Sequence, residues 1–270
     1  MTFTKYTSAA IRSTVAAGEM IKHFKKTKLL VAEKESPRDL VSEVDLLAEK
    51  IIIDNLSKEF GNISYLSEEA GDHLTDIDNY WIIDPLDGTT NFINNLPIYG
   101  VSIAFVKQGV LHSAAIYLPE TLDLYFAEKN LGAYMNNKRL KIAPKSLKSS
   151  LISVTFPGAF SNTFSSGVAY DSFADINASS RGALRLGSSV YSLAMLASGN
   201  LHGVIGFEAK IWDIAAGLLI NTEAGAKASV TDNTLLEQPH TYSVASGVLS
   251  EALSEVIGVK HNINEFDKAT

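Results

Sequence analysis

The chain has 270 residues, of which 46% are hydrophobic and 20% are charged, and this globular balance excludes general disorder. Its formal net charge is −7, which disfavours general binding of nucleic acid or anionic membranes because like charges repel. Cysteine is absent, and this excludes disulfides, thiolate metal sites and a cysteine nucleophile.

The N-terminal half, which we place at residues 1–145, begins with polar residues that lack the apolar core of a secretory signal. No later stretch reaches the ~18 consecutive apolar residues of a membrane span, so we expect a cytoplasmic protein. Apolar residues spaced in threes and fours predict a helix over 8–26. The same pattern predicts a second helix from Leu40 to just before Gly61, with a loop over 32–39 between the two.

A strand and an antiparallel meander are predicted after the second helix. Residues 80–83 are apolar and β-prone, and Pro85 should end ladder pairing just after Asp84. Short β-like runs separated by glycine and proline then predict the meander, at 101–106, 110–117, 122–127 and 132–135. The polar segment 143–150 contains a proline and is typical of a linker.

The C-terminal half, residues 146–270, shows strands alternating with helices. The predicted strands are 151–156, 203–207 and 242–245. The predicted helices are 168–177, one that follows Gly187, 213–224 and 250–256. We therefore predict an α+β fold with an antiparallel sheet in the first half and a more α/β second half.

The segment 81–92 (WIIDPLDGTTNF) carries the strongest chemical signal. Asp84 and Asp87 leave the end of an apolar strand, and the turn forced by the intervening proline lets both carboxylates converge with the Leu86 carbonyl. Oxygen ligands of this kind are typical of Mg²⁺ sites. Residues 88–90 (GTT) then offer backbone N–H groups at a predicted helix start, which favours phosphate. An isolated Asp-x-x-Asp is more often a plain acidic turn, but its neighbours here favour a site.

This segment resembles a signature of the inositol monophosphatase family, the Mg²⁺-dependent, lithium-sensitive sugar-phosphate phosphatases. A second signature of that family, Trp-Asp followed by small residues that open a helix, is matched by residues 211–217 (IWDIAAG). The resemblance extends from Lys34 to about Gly225. It implies a layered αβαβα sandwich, a homodimer and two or three Mg²⁺ ions in each active site. The implied partner is a small sugar or polyol phosphate, with no nucleic acid and no membrane.

The resemblance implies metal-binding roles for a set of acidic residues and one carbonyl. Glu68 matches the metal-binding glutamate, and Asp84 matches the aspartate that bridges metals. Leu86 would supply its backbone carbonyl, Asp87 would bind a second metal, and Asp213 would be a distant ligand at a helix start. Without the resemblance, Glu68 would be a solvated loop acid and Asp213 a helix N-cap.

Three residues are implied in catalysis by the same resemblance. Thr89 and Glu68 would orient and deprotonate the attacking water, and Asp45 would hydrogen-bond to Thr89. Alone, Asp45 would be interpreted as an exposed helix residue. Lys34 also fits the family pattern, with a plain surface charge as its alternative.

Substrate-binding roles are implied for residues on three segments. Residues 185–189 (RLGSS) resemble a family turn whose backbone contacts the sugar, although an ordinary strand–helix turn with a serine cap would look alike. Glu208 matches a glutamate that binds substrate hydroxyls, but it lies five positions before Asp213, closer than in animal and enterobacterial members. The predicted substrate-binding residues are Asp87, Gly88, Thr89, Gly187, Ser188, Ser189, Glu208 and Asp213.

The predicted activity is hydrolysis of a small phosphate monoester by an activated water. The reading Asp-Gly-Thr-Thr-Asn at 87–91 favours inositol 1-phosphate first and fructose 1,6-bisphosphate second, ahead of histidinol phosphate, NADP and nucleotide bisphosphates. Two other classes stay open. One is a non-catalytic regulatory or RNA-polymerase-associated protein. The other is a cation sensor in which Mg²⁺ is only structural.

Overall fold

The computed structural model describes residues 2–25, 31–33, 40–156, 163–231, 236 and 239–257. Lys34 and the predicted loop from residue 34 onward lie outside the described residues. The helices are α1 Lys5–Phe24, α2 Glu43–Phe60, α3 Thr89–Ile93, α4 Thr163–Ser179, α5 Ser189–Ala197, α6 Ile211–Glu223 and α7 Gly247–Ile257, with a 3₁₀ turn at Leu147–Ser149. None of the described helices combines the length and apolar character needed to cross a bilayer.

The strands fall into three sheets over the described part of the chain. They are β1 Val31–Glu33, β2 Leu40–Ser42, β3 Tyr65–Ser67, β4 Gly71–His73, β5 Asn79–Asp87, β6 Gly100–Lys107, β7 Val110–Leu118, β8 Asp123–Glu128, β9 Gly132–Met135, β10 Lys138–Arg139, β11 Leu151–Thr155, β12 Gly182–Leu184, β13 Gly203–Ala209, β14 Lys227–Val230 and β15 His240–Ala245. Strands β1 and β2 pair with each other. The prediction that a helix starts at Leu40 is therefore wrong by one short strand, because α2 begins at Glu43.

Helix α1 packs largely through small side chains, and of the large apolar residues that its sequence periodicity emphasised, Ile21 is fully buried. Ile11 and Val15 are only half-buried, whereas the buried face is rich in alanine, serine and threonine. A Cβ atom at Gly18 would lie 2.3 Å from Cδ1 of Tyr117 on β7. The helix therefore approaches the sheet closely at this point, and a larger residue would push it away.

The large sheet has the strand order β10-β9-β8-β7-β6-β5-β3-β4, and the predicted meander is confirmed in β6 to β9. Strand β5 continues beyond the predicted end at Asp84. Asp84 pairs with Ser102 and Asp87 pairs with Gly100, with a register shift between the two pairs. The proline therefore interrupts the ladder as a bulge, which lets the strand resume after it.

The small sheet has the order β12-β11-β13-β15-β14, with parallel pairing on one side of β13 and antiparallel pairing on the other. Alternate residues of the strands face different apolar clusters. On β5, Trp81 and Ile83 pack with α1 and α2, whereas Ile82 packs with α5 and α6. On the small sheet, Ile152 packs in the cluster that also contains residues of α4 and α7.

These clusters separate five layers, which run from α1 and α2, through the large sheet, to α5 and α6, the small sheet, and finally α4 and α7. The predicted αβαβα sandwich is confirmed. One apolar cluster contains both Ile82 of the large sheet and Val204 of the small sheet. Helices α5 and α6 therefore join the two sheets, and the division at residue 145 stays a prediction.

Candidate active site

The turn from β5 into α3 is built around a glycine that no other residue could replace without strain. Gly88 has φ +92° and precedes α3, whose first residue is Thr89. A Cβ atom at Gly88 would lie 2.7 Å from the carbonyl oxygen of Ile98. Both the positive φ and the lack of space therefore require glycine here.

Asp84, Asp87 and Asp213 converge at the end of β5. Each offers a carboxylate oxygen, and these oxygens lie within 4.8 Å of one another. Asp213 reaches the cluster from the first turn of α6, where its Oδ2 accepts the N–H of Lys210 at 3.1 Å. The helix begins at Ile211, two residues before the start that the sequence predicted. Asp213 thus supports the helix end and also faces the other two acids.

Glu68 joins this acidic cluster from the turn between β3 and β4. Its N–H donates to the carbonyl of Ile83 at 3.2 Å, which fixes the turn against β5. The residue is exposed, which agrees with the alternative prediction of a solvated loop acid. Its side chain nevertheless comes within hydrogen-bonding reach of Asp84.

The Asp84 carboxylate is poorly compensated by the protein itself. Asp84 is fully buried; its Oδ1 accepts the N–H of Leu86 at 3.1 Å, and its Oδ2 accepts no N–H or O–H from the described residues. Asp84 and Glu68 can share a hydrogen bond only when one of them holds a proton. Burial, together with the neighbouring Glu68, Asp87 and Asp213, raises the pKa of Asp84 well above its usual value.

The pKa values of the other acids in the cluster are also raised. Loss of hydration and the nearby Asp213 raise the pKa of Glu68 well above its usual value, even though the residue still reaches solvent. Burial raises the pKa of Asp87 to about 6, against the hydrogen bonds that it accepts. Burial and the charge of Asp87 raise the pKa of Asp213 to about 8. A cation among these oxygens would reverse the penalty, because it stabilises the ionised forms.

Asp45 and Thr89 meet beside this cluster, as predicted. Asp45 is buried on α2, not exposed, and Oγ1 of Thr89 lies 3.3 Å from its Oδ1. The same hydroxyl lies 3.0 Å from the carbonyl oxygen of Leu86, which also belongs to the predicted site. A hydroxyl has one proton, so Thr89 donates to one of these two acceptors at a time.

The start of α5 is tied directly to Asp87. The hydroxyl of Ser188 donates to Asp87 Oδ2 at 2.5 Å, and the N–H of Val190 donates to the same oxygen at 2.6 Å. Ser188 is also the N-cap of α5, because its Oγ accepts the N–H of Tyr191 at 3.0 Å. The serine cap and the site residue, which the sequence left as alternatives, are thus one residue with both contacts.

Two residues that sequence reasoning did not single out complete this turn. Asn91 donates to the carbonyl oxygens of Ile98 at 2.8 Å and Leu186 at 2.9 Å, and it lies beside Gly187, whose φ is +75°. The buried hydroxyl of Tyr242 hydrogen-bonds to the side chain of Ser189. The contacts of Asn91 with Leu186 and of Tyr242 with Ser189 join segments far apart in the chain, so no local pattern could have indicated them.

Glu208 is not one of the carboxylates whose oxygens converge within 4.8 Å. Among the described residues, the group that could hold a metal contains Asp84, Asp87 and Asp213 without Glu208. Its backbone has φ +52°, and it falls at the register shift between Gly206 and Ala209 on β13.

Comparisons with known proteins agree with this geometry. The sequence profile of the inositol monophosphatase family matches residues 3–262. A protein of Aquifex aeolicus (strain VF5) named fructose-1,6-bisphosphatase/inositol-1-monophosphatase is 37% identical over 223 residues, which cover 82% of this chain and 84% of that protein. Nus factor SuhB of Escherichia coli (strain K12) is 31% identical over 265 residues, covering 92% of this chain and 97% of the relative.

The fold is also found among solved structures. The crystal structure of extragenic suppressor protein SuhB from Bartonella henselae matches with a TM-score of 0.85 and 27% sequence identity. The match covers 94% of this chain and 98% of that one. The similarity therefore includes both sheets and the helices between them.

Proposed function

The chain belongs to the inositol monophosphatase family, and from this premise we propose that it hydrolyses a small phosphate monoester in a Mg²⁺-dependent reaction. The observation that carries the proposal is the convergence of Asp84, Asp87 and Asp213 within 4.8 Å, with Glu68 beside them. So many carboxylates repel a phosphate dianion unless divalent cations change the sign of the local field.

The donor set fits Mg²⁺, which prefers carboxylate and carbonyl oxygens. Asp84 retains an oxygen to which no described N–H or O–H donates, as a ligand atom requires. We propose that Glu68, Asp84, the Leu86 carbonyl, Asp87 and Asp213 hold two or three ions. When bound, the ions would supply positive charge that lowers the carboxylate pKa values and stabilises the charge developing on the phosphate.

Asp45, Thr89 and Glu68 would act on the attacking water. In the proposed arrangement Asp45 accepts a hydrogen bond from the Thr89 hydroxyl. A lone pair of that hydroxyl oxygen is then free to accept a hydrogen bond from the water. Glu68 accepts the other proton of the water as the new O–P bond forms. The bond from phosphorus to the ester oxygen breaks on the opposite side, and the departing alkoxide is protonated by solvent. No covalent phosphoenzyme is required.

The remaining predicted residues would bind the substrate. We propose that the N–H groups of Gly88 and Thr89 hold phosphate oxygens near Asp87 and Asp213. The backbone at Gly187, Ser188 and Ser189 would contact the sugar. Glu208 is the weakest member, because it lies outside the group of converging acids, and its proposed role is to accept a hydrogen bond from a substrate hydroxyl.

Inositol 1-phosphate is the first substrate to test, and fructose 1,6-bisphosphate is the second. The name of the Aquifex aeolicus relative contains both activities. Release of phosphate from a panel of sugar phosphates, histidinol phosphate, NADP and nucleotide bisphosphates should be measured with Mg²⁺ and with chelator. We expect Mg²⁺-dependent release from at least one sugar phosphate. Asp87→Asn should lose several orders of magnitude in kcat while it stays folded, and wild-type turnover in that variant would refute the role of Asp87.

A regulatory function is the second candidate, because the Escherichia coli relative is named a Nus factor. It predicts a folded protein that releases no phosphate from the panel with or without Mg²⁺. A cation sensor would instead bind Mg²⁺ without turnover. A homodimer in the cytoplasm stays a prediction, and light scattering would test the dimer.

A further inference from the structure

Helix α2 carries a second buried acid that the proposed mechanism does not use. Glu49 is 6% exposed and lies four positions after Asp45, so both face the same side of the helix. Its Oε1 accepts a hydrogen bond from the hydroxyl of Ser67 and another from the N–H of Ala70, the latter at 2.9 Å. A buried carboxylate needs such donors, and these two lie on either side of Glu68.

The turn that carries Glu68 is short. Strand β3 ends at Ser67, which pairs with Gly71 of β4. Within the turn, the N–H of Glu68 donates to the Ile83 carbonyl, and Glu49 connects the two ends of the turn to α2. The position of the Glu68 carboxylate therefore depends on where α2 places Glu49.

We propose that Glu49 is a positioning residue that holds the Glu68 turn, so that one helix sets the positions of both groups around the attacking water. Asp45 contacts Thr89, and Glu49, one helical turn later, holds the segment of Glu68. This inference rests on the proposed function, because it assumes that Thr89 and Glu68 act on one water.

The hydrogen bonds of Glu49 allow its role in positioning the turn to be tested separately from any role of its charge. Both donors converge on the same atom of Glu49, Oε1. A glutamine can place its amide oxygen there and keep both hydrogen bonds, whereas an alanine loses both. A positioning role therefore predicts that Glu49→Gln is nearly normal and that Glu49→Ala is defective.

Glu223 offers a matched control, because it holds a different turn by the same chemistry. Its carboxylate accepts the N–H of Asn130 at 2.8 Å and the N–H of Gly132 at 2.7 Å, between β8 and β9. Glu223→Ala should lower the melting temperature and leave kcat unchanged. This control variant distinguishes the effect of a general loss of stability from the effect of displacing Glu68.

The experiment compares wild type with Glu49→Ala, Glu49→Gln and Glu223→Ala. In phosphate release, Glu49→Ala should lose about 10- to 100-fold in kcat with little change in substrate KM, because a small misplacement of a reacting group is costly. It should also need more Mg²⁺ for half-maximal activity. A Glu49→Gln variant as defective as Glu49→Ala, or a Glu49→Ala variant with normal kcat, would overturn the proposal.

Hydrogen exchange and metal binding give readouts that need no turnover. The Glu68 amide, which bonds to Ile83 and not to Glu49, should exchange faster in Glu49→Ala than in wild type or Glu223→Ala, and Mn²⁺ should bind more weakly to Glu49→Ala. If wild type releases no phosphate from any substrate, the proposed function fails, while these two measurements still decide whether Glu49 positions the turn. Unchanged exchange and Mn²⁺ affinity would overturn that placement.

Discussion

Two buried carboxylates on the large sheet show opposite environments. Glu128, at the end of β8, is 5% exposed, and its Oε2 receives the N–H of Thr4 at 2.8 Å and the hydroxyls of Thr4 and Thr7 at 3.0 and 2.5 Å. Asp84, on β5, is fully buried among other acids, and no described N–H or O–H donates to its Oδ2. A carboxylate that only anchors structure is satisfied by its own chain, whereas Asp84 is left with an oxygen available to a ligand.

The contrast between Asp84 and Glu128 is tested most directly by replacing each acid with its amide. Asp84→Asn should lower kcat on the order of 10³-fold or more, because a ligand charge is lost where the transition state needs it. It should also raise the melting temperature of the metal-free protein, because a charge that repels its neighbours is removed. Thermal melts in chelator and phosphate-release assays measure both effects.

Glu128→Gln is the matched control for that variant. It should lower stability by only about 1 kcal/mol, because the amide oxygen can keep the three hydrogen bonds but they are weaker without the carboxylate charge, and it should leave kcat unchanged. If both amide variants change stability in the same direction, the contrast between the two carboxylates is wrong.

Asp45→Asn tests whether the acid beside Thr89 acts on the water. The loss should be roughly 10²-fold in kcat with little change in substrate KM, since the amide can donate to Thr89 and reverse the direction of its hydroxyl. The kcat and KM of the variant at saturating Mg²⁺ check this. An effect confined to KM would instead place Asp45 in substrate binding.

The pH dependence of stability should differ between the metal-free and the metal-bound protein. Folding raises the pKa of Asp87 to about 6 and that of Asp213 to about 8, above the ~3.9 of an unfolded aspartate. Over that range the folded state binds more protons than the unfolded state. The free energy of unfolding should therefore fall as pH rises from ~4 through 8 in chelator.

Urea unfolding in chelator at several pH values measures this slope. Saturating Mg²⁺ should remove most of it, and Asp213→Asn should flatten it without Mg²⁺. A slope that Mg²⁺ leaves unchanged would show that these acids do not take up the ion.

Gly187→Ala should give the smallest effect. The position has φ +75°, and a Cβ atom there would lie 3.2 Å from Nδ2 of Asn91. We expect a loss of about 1 kcal/mol of stability and a higher substrate KM, because the adjoining backbone moves. A thermal melt and a Michaelis–Menten titration measure both, and Gly61→Ala, at a positive φ with open space around it, is the control.

The sequence predicted those parts of the site that lie close together in the chain. Asp84, Asp87 and Thr89 lie within six residues of one segment. The helix that carries Asp213 begins near the predicted residue. The bulge in β5 was missed, because a proline predicts interrupted pairing but not where pairing resumes.

Local patterns do not indicate long-range contacts, and the contact between Asp45 and Thr89 was predicted only through the family resemblance. The two donors from α5 to Asp87 come from Ser188 and Val190, about a hundred positions away. Burial of Asp45 and Glu49 likewise depends on what packs against α2. The spacing of Glu49 four residues after Asp45 was the one local signal that the two acids share a face.

The central claim is that the acids whose oxygens converge at the end of β5 are the ones that bind divalent cations. Anomalous diffraction from crystals soaked in Mn²⁺ tests this directly. The account predicts peaks about 2.0–2.3 Å from oxygens of Asp84, Asp87 and Asp213, and none at Glu128. Peaks only elsewhere, or an empty cluster at saturating Mn²⁺, would contradict it.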